Sequence, residues 1–420
     1  MKPSGIEWIG YIPDDWEVRK LLSLFKEHKD RNKNLEEQNL LSLSYGKIKR
    51  KDINNNDGLL PASFETYNIV ENGDIVFRLT DLQNDKRSLR TGIVTQRGII
   101  TSAYVTIRPK IKLDSRFYHY LYHMYDICKV FYGMGDGVRQ GMGFEDLKNI
   151  PTLIPPLKTQ QKIADYLDDK CGEIDATIAK QKESIEKLKA YKQSLISETV
   201  TKGLDKSSPL KPSGIEWIGD IPAHWEVCKI KNHCNLKTGS TPSSKDLSMF
   251  DGAENWFTPS DFTENYMLKN SLRRLNAKVF DQNLVPIFPP LSVLIVGIGA
   301  TTGKVGFTTS KSSSNQQITA IIPKDKNIFP KFLLFWMIAN TKMIRETALF
   351  TTLPILNNDT LGNATLLIPP YKEQLELASY IENKNIEIDV IINKKQNIIQ
   401  KLDAYKKSII FECVTGKTDL

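Results

Sequence analysis

Two histidines, His119 and His123, have the spacing of ligands on one face of a helix. Such an i, i+4 pair binds zinc in the His-Glu-x-x-His motif, in which the glutamate acts as the general base. Here the intervening residues are Tyr120-Leu121-Tyr122, so the glutamate of that motif is absent. The residue types therefore favour an aromatic helix face packed in a core over a catalytic metal site.

A glycine-rich segment, Gly297–Lys304, has residue types found in phosphate-binding loops. The P-loop spacing is absent, and Val305 occupies the position at which Ser or Thr would bind Mg²⁺. A strand followed by a tight turn explains the segment better. Ile368–Tyr371 is similar to the Asn/Asp-Pro-Pro-Tyr motif of DNA amino-methyltransferases, but it lacks the leading Asn or Asp. Its prolines are expected to mark the beginning of a helix.

The chain contains two copies of one domain-sized segment. Lys2–Gly10 recurs letter for letter as Lys211–Gly219, and Ile154–Gln160 has a close match in Ile368–Gln374. The period is 209 residues at the first match and 214 at the second. Solenoid repeats have periods of roughly 20–50 residues. Two such long copies predict a pseudo-symmetric molecule that performs one task at two places.

The repeat also bears on a second group of potential metal ligands near the beginning of the second copy. This group consists of His224, Cys228, His233 and Cys234. In the first copy Asp15, Arg19 and Phe25 stand at the positions of His224, Cys228 and Cys234. A metal site in one copy alone does not fit a duplicated task, so no metal is predicted.

Composition limits the class of protein. A length of 420 residues allows about two to four domains. The net charge of +8 and the pI near 8.9 favour a polyanionic partner. Five scattered cysteines fit a reducing compartment better than a disulfide framework. Because no signal-like or membrane-spanning segment is visible, we expect a cytoplasmic protein.

Each copy is predicted to be a mixed α/β domain followed by a long helix, which makes the fold class α+β. Short β-branched or aromatic segments separated by Gly, Asn and Asp turns predict strands. Residues 117–132 and 330–345 have helical patterns. The predicted domains are residues 1–155 and 206–369, and the predicted helical spacers are residues 156–205 and 370–420.

Apolar residues recur at alternating four- and three-residue spacing in both helical spacers. This spacing is that of the a and d positions of a coiled coil. Polar residues interrupt both series at corresponding positions, Gln181 with Lys395 and Lys192 with Lys406. The predicted seam consists of Leu167, Ile174, Ile178, Ile185, Leu188, Leu195, Ile381, Ile388, Ile392, Ile399, Leu402 and Ile409.

Both helices are acidic in their first half and basic in their second half. An antiparallel pair places acids opposite bases along the whole length, whereas a parallel pair opposes like charges. Complementation of the helix macrodipole also explains the gradient, and it leaves antiparallel packing favoured. Forty helical residues span roughly 60 Å. We therefore expect an intramolecular antiparallel coiled coil that holds two domains apart, at a distance suited to two stretches of DNA groove.

In this order, the segments resemble the specificity (S) subunit of type I restriction-modification enzymes, over the whole chain. The resemblance rests on the duplicated opening at 5–18 and 214–227, the Ile-Pro-Pro-Leu-Lys helix start at 154–168, and the heptad helices. The second domain has the family's Gly-Ser-Thr-Pro pattern at 239–242, whereas the first domain has Ser44–Lys47 instead. Three shorter segments also resemble the recognition domains of that family: Gly239–Pro242, Gly303–Val305 and Asn315–Gln317.

The resemblance implies two target-recognition domains, each of which recognises half of a bipartite sequence in double-stranded DNA, with the coiled coil setting the gap. It also implies that the chain performs no chemistry and binds no cofactor. Two methyltransferase (modification) subunits would carry S-adenosylmethionine, and restriction (translocase) subunits would use ATP and Mg²⁺. No membrane association is implied.

The residue types then suggest which loops contact DNA. Arg, Asn and Gln recognise base edges, and Lys, Arg, Ser and Thr contact phosphates. The loops with both types are Tyr45–Lys51, Arg78–Arg90, Gly137–Gly141, Lys237–Lys245, Thr258–Asp261, Gly303–Lys304 and Ser312–Gln317. The candidates for the first DNA face are Tyr45, Lys47, Arg78, Arg87, Arg90, Arg139 and Gln140. The candidates for the second are Lys237, Thr241, Lys304, Asn315 and Gln316.

Three alternatives remain open on the sequence. The first is a specificity subunit of a methyltransferase-only system. The second is a self-contained DNA methyltransferase or nuclease, which would bind S-adenosylmethionine or nick DNA by itself. The third is an adaptor coiled-coil protein, which would not bind DNA even with its partners. The favoured function instead predicts DNA affinity that falls steeply with salt.

Overall fold

The computed structural model describes residues 1–53, 63–82, 89–134, 141–243, 246–324, 326–346, 349–350, 354–418 and 420. The chain forms two compact units. The first unit contains residues 1–182 and 396–420, and the second contains residues 183–395. Within the described residues, none of the helices has the length and apolarity needed to cross a membrane.

The strands of the first unit are short and mostly antiparallel. They are β1 (Lys2–Pro3), β2 (Tyr11–Ile12), β3 (Glu17–Lys20), β4 (Phe25–Glu27), β5 (Leu41–Ser44), β6 (Lys47–Arg50), β7 (Asn68–Val70), β8 (Ile75–Phe77), β9 (Thr91–Ile93), β10 (Gly98–Ile100), β11 (Val105–Pro109) and β12 (Pro151–Ile154).

The strands of the second unit follow a similar order. They are β13 (Leu210–Pro212), β14 (Asp220–Pro222), β15 (Glu226–Lys229), β16 (Cys234–Thr238), β17 (Phe250–Phe257), β18 (Met267–Leu268), β19 (Arg273–Leu275), β20 (Ser292–Val296), β21 (Val305–Thr308), β22 (Ser312–Ser314), β23 (Ile318–Pro323), β24 (Leu349–Phe350), β25 (Pro354–Ile355) and β26 (Thr365–Ile368).

Two of the helices are much longer than the others. The helices are α1 (Ser115–Ile127), α2 (Phe144–Leu147), α3 (Leu157–Lys202), α4 (Ile230–His233), α5 (Ala277–Asp281), α6 (Pro330–Glu346), α7 (Asn358–Asn363) and α8 (Tyr371–Val414). The long helices α3 and α8 contain the predicted heptad segments, so the prediction of two long helices is confirmed.

Both units are built on one sheet topology. The main sheet of the first unit has the order β4-β11-β8-β9, and all three pairings are antiparallel. The second unit repeats this order as β16-β23-β20-β21 and adds β18, which is parallel to β21. In each unit one helix, α1 or α6, contributes large apolar side chains to the core around the sheet. The pseudo-symmetry predicted from the sequence repeat is therefore present in the fold.

The duplicated opening sequence forms the same small structure twice. In each copy a serine Oγ accepts the N–H two residues later, Ile6 to Ser4 and Ile215 to Ser213, each at 3.1 Å. The flanking glycines have positive φ angles, for which glycine carries no steric cost. The tryptophan that follows is buried in both copies, as Trp225 in the second. Each opening thus contributes a buried tryptophan to the core of its own unit.

The Pro-Pro segments position the long helices through a buried glutamine. The Gln160 Nε2 donates to Pro155 O at 2.8 Å, and its Oε1 accepts the N–H of Asp114 at 3.0 Å. Gln374 makes the same bonds to Pro369 and Phe329, both at 2.8 Å. The glutamine therefore joins the first turn of the long helix to the start of α1 or α6. The prediction that the prolines mark a helix start is confirmed, and the glutamine explains the motif.

The two long helices pack antiparallel within each unit. In the first unit Leu167 and Cys171 of α3 share a core with Ile409 and Cys413 of α8. In the second unit the C-terminal part of α3, around Leu195, shares a core with the N-terminal part of α8. The remaining predicted seam positions are buried or half-buried: Ile174, Ile178, Ile185, Leu188, Ile381, Ile388, Ile392, Ile399 and Leu402.

Ion pairs between the helices agree with the predicted acid–base arrangement. Lys406 Nζ lies 2.7 Å from Asp175 Oδ1 in the first unit, and Lys192 Nζ lies 2.8 Å from both carboxylate oxygens of Asp389 in the second. The two ion pairs involve the same two positions of the repeated helix, since each lysine and each aspartate in one pair has its counterpart in the other. Burial alone would raise the pKa of Asp175, but the ammonium groups of Lys406 and Lys47 outweigh it and hold that pKa below its ordinary value.

Candidate nucleic-acid interface

Three loops leave the main sheet of the second unit at the same end. Thr238, the last residue of β16, pairs with Thr319 at the beginning of β23, and Val296, the last of β20, pairs with Ile318. Because neighbouring strands are antiparallel, the loops 239–243, 297–304 and 315–317 must all lie at one end of the sheet, which we call the polar edge. That edge carries four of the five candidates for the second DNA face: Thr241, Lys304, Asn315 and Gln316.

Direct contacts join two of these loops. Thr241 Oγ1 donates to Gln316 Oε1 at 2.6 Å. A Cβ on Gly239 would lie 2.3 Å from the backbone Ser314 O, so only glycine permits this approach of the two backbones. Asn315 is held by bonds of 2.9 and 3.1 Å to Gln317. Gly239–Pro242 and Asn315–Gln317 therefore form one polar surface, which explains why these segments occur together.

The two candidate lysines support backbone segments and still face solvent. Lys237 Nζ donates to Ile287 O at 3.2 Å, and Lys304 Nζ donates to Phe262 O at 3.0 Å. Both side chains are exposed. An ammonium group has three N–H donors, so each can bind a carbonyl and a phosphate together.

The glycine-rich segment 297–304 forms the turn expected between two strands. The N–H of Gly297 donates to Gln317 O, that of Gly303 to Val296 O, and that of Lys304 to Thr301 O. These N–H groups are thus used within the fold, whereas a P-loop directs them to phosphates. The candidate loop Thr258–Asp261 also uses its polar groups within the fold, because the Asp261 carboxylate accepts the N–H and hydroxyl of Thr258 at 2.7 and 2.9 Å.

In the first unit, Tyr45 and Lys47 lie at the tip of the β5–β6 hairpin. Tyr45 and Gly46 have φ values of 47° and 77°, as in the primed turns that are preferred in two-residue hairpin loops. The Tyr45 side chain is 75% exposed. Lys47 Nζ lies 3.3 Å from Asp175 on α3, so part of its charge is compensated within the protein.

The two described arginines of the 78–90 loop have different environments. Arg78 is half-buried, whereas Arg90 is fully buried. The Arg90 guanidinium donates to Thr80 O at 2.7 Å and Asp81 O at 3.3 Å. The structure therefore assigns Arg90 to the support of this loop, which corrects its placement on the DNA face. Three other candidates lie outside the described residues: Arg87, Arg139 and Gln140.

The two histidines of α1 are half-buried in the first unit. Their Nδ1 atoms are buried and have no hydrogen-bond partner among the residues that the structure describes. Burial lowers the pKa of His119 to about 3 and that of His123 to about 4, and the charge of Lys406 adds to both shifts. Both imidazoles are neutral at pH 7. In the described part of the chain, no group of three or more His, Cys, Asp or Glu side chains is arranged to hold a metal ion.

One group at the same edge of the second unit has only a weak signal in the sequence. Trp256 is buried, and its indole N–H donates to Ser240 O at 3.0 Å. Arg273, on the neighbouring strand, covers the Trp256 ring. The adjacent pair Arg273-Arg274 is the feature of the sequence that could indicate this group. The contact with Trp256 itself arises from the pairing of β17 with β19, which local sequence does not show.

Comparison with known proteins gives the same result for both halves. The family model of the type I restriction modification DNA specificity domain matches residues 13–189 and again residues 222–404. The type I restriction enzyme MjaVIII specificity subunit of Methanocaldococcus jannaschii is 24% identical over 422 residues, covering 97% of this chain and 93% of that protein. The EcoBI specificity subunit of Escherichia coli is 25% identical over 280 residues, covering 63% and 57%.

Solved structures agree at the level of the fold. A chain from a study of complex assembly and conformational transition of the type I R-M system has a TM-score of 0.74 at 14% identity, covering 97% of this chain and all of that one. The HsdS subunit of Thermoanaerobacter tengcongensis has a TM-score of 0.52 at 15% identity, covering 97% and 98%. Taken with the duplicated match of the family model, the chain belongs to the type I restriction-modification DNA specificity family.

Proposed function

We propose that this chain is the DNA specificity subunit of a type I restriction-modification complex, and that each unit recognises one half of a bipartite target. The family match on both halves and the repeated sheet topology support two recognition domains. The paired helices α3 and α8 would set the unspecified gap between the half-sites. The polar edge of the second unit is the observation that carries the proposal.

This edge has the chemistry that DNA recognition requires. Amide side chains such as Asn315 and Gln316 can bind the N6 and N7 atoms of adenine in pairs of hydrogen bonds. Thr241 can contact base edges or phosphates, and Lys237 and Lys304 can neutralise phosphates. The link from Thr241 to Gln316 holds the amide in place before DNA binds. Fixed donors and acceptors of this kind reduce the entropy lost on binding.

The partners and the chemistry are proposed from the family. Relatives are named specificity subunits of restriction enzymes, and one structural neighbour comes from a study of complex assembly. We propose that two modification subunits bind the helical regions and supply S-adenosylmethionine chemistry, and that restriction subunits use ATP and Mg²⁺. In this scheme the chain itself is non-catalytic and works in the cytoplasm.

DNA binding by the assembled complex tests the proposal. The affinity should fall linearly with salt on logarithmic axes, because phosphate contacts release counterions. Replacing Lys304 with Ala should weaken binding to all sequences and lower the salt slope by about 1. A matched control is Lys326→Ala, an exposed lysine beyond the opposite end of strand β23. Equal affinity of the Lys304 variant and the wild type at every salt concentration would remove Lys304 from the DNA face.

A further inference from the structure

A cleft of about 480 Å³ lies beside the polar edge of the second unit. Two arginines and two of the most exposed apolar side chains line it, Leu247 at 78% and Leu272 at 77% exposure. Strand β19 begins here with Arg273, opposite Trp256 near the end of β17. On the other side of β17, the end of β22 leads directly into Asn315. The cleft and the polar edge are therefore neighbouring parts of one surface.

The Arg273 guanidinium is held over two aromatic rings. Its Cζ lies 4.7 Å from the centroid of the Phe250 ring and 5.3 Å from that of Trp256. The Trp256 ring is itself fixed by its bond to Ser240 O. Stacking of this kind orients the guanidinium without using its N–H donors. Among the described residues, no acid or carbonyl binds this guanidinium, although the side chain is exposed.

An exposed, oriented guanidinium with unused donors fits a bidentate acceptor. Guanine presents such an acceptor through O6 and N7 in the major groove, and this is the commonest specific contact of arginine with DNA. The neighbouring Arg274 differs, because its Nη2 donates to Asn270 Oδ1 at 2.9 Å. That bond leaves Arg274 the weaker candidate for a bidentate contact and suits it to a phosphate.

We propose that Arg273 recognises a guanine in the half-site bound by the second unit, with the Phe250 and Trp256 rings as the platform that fixes its plane. The inference rests on the proposed function and deepens it at the level of one base pair. A purely structural role, in which the side chain only covers the two rings, makes a different prediction. A long uncharged side chain would fill that role equally well.

Three variants separate these roles in the assembled complex. Arg273→Met keeps an apolar stem over the rings but removes the donors, and Arg273→Lys keeps the charge but removes the planar fork. Arg274→Ala is the matched control. The modified sequence motif is determined for each by methylation-site sequencing, and thermal melting confirms that each variant is folded.

We expect both Arg273 variants to lose preference for guanine at one position of one half-site, by about 10- to 100-fold, with the other half-site unchanged. Arg274→Ala should weaken modification of all sites without changing the motif. Should either Arg273 variant be unstable, the folded one is sufficient. A bipartite wild-type motif that both Arg273 variants retain at every guanine would overturn the inference and leave the proposed function intact. A wild-type motif that is not bipartite would overturn the proposed function first.

Discussion

Two arginines show how the environment of a residue decides its task in this protein. Arg90 is buried, and its donors are directed to the carbonyls of its own loop. Arg273 is exposed, and its guanidinium lies over the rings of Phe250 and Trp256. From the sequence, Arg90 was a candidate for the DNA face and Arg273 was not. Their difference depends on α1 packing in one unit and on strand pairing in the other, and neither is visible from local sequence.

The histidines of α1 give a prediction about pH. Their pKa values are lowered to about 3 and about 4 in the folded protein, against an ordinary value near 6.5 in the unfolded chain. Between these values the unfolded chain binds more protons, so stability falls as the pH decreases below about 6.5. At the equivalent positions of α6 the second unit has Leu334 and Ile338, which do not titrate.

We therefore expect the double variant His119→Leu/His123→Ile to lose less thermal stability than the wild type between pH 7.5 and pH 5. The melting temperature of each protein at the two pH values is the measurement. Carboxyl groups contribute equally to both proteins, so the difference between the two decreases in melting temperature isolates the contribution of the imidazoles. An equal decrease in the two proteins would show that the imidazoles are not kept neutral by burial.

At the scale of elements, the long helices were the most predictable part of the fold. Their heptad pattern extends over many residues, so errors at single positions do not alter the assignment. The charge gradient that both helices share also predicted the antiparallel packing seen inside each unit. The short strands were harder to place, because their pairing depends on distant partners. In the sequence, Gln160 and Gln374 are only the last residues of the two repeated Pro-Pro segments, and their buried hydrogen bonds are evident only from the fold.

The ion pair between Lys192 and Asp389 tests the antiparallel packing directly. Reversing either charge alone, Lys192→Asp or Asp389→Lys, opposes like charges and should destabilise the protein. The double reversal restores an opposite pair, so it should be more stable than the sum of the single effects by about 0.5–1 kcal/mol. Urea unfolding of the four proteins measures this coupling energy.

Lys187 provides the control for this cycle, because it pairs with Glu183 on its own helix. Coupling between Lys187→Asp and Asp389→Lys should be close to zero. Coupling of the same size in both cycles, or none between Lys192 and Asp389, would contradict the helix register described here.

At the scale of the whole molecule, the chain repeats one scaffold and varies its loops. Both units share the strand order of the main sheet and the glutamine that fixes the long helix. They differ in the segments at the end of that sheet, where residues 78–90 of the first unit correspond to the shorter loop 297–304 of the second. A shared scaffold with different loops is expected of two domains that recognise different DNA sequences. Sequence repetition could predict the scaffold, whereas loop contacts require the folded chain.

The sequence of the DNA sites modified by the assembled complex is the most direct test of this account. Two recognition domains in one chain predict an adenine-containing motif with two specified parts, separated by a fixed number of unspecified bases. Methylation-site sequencing of DNA from cells that express the complex determines this motif. A single contiguous motif, or modification without sequence preference, would contradict the conclusion that the two units each recognise one half of the target.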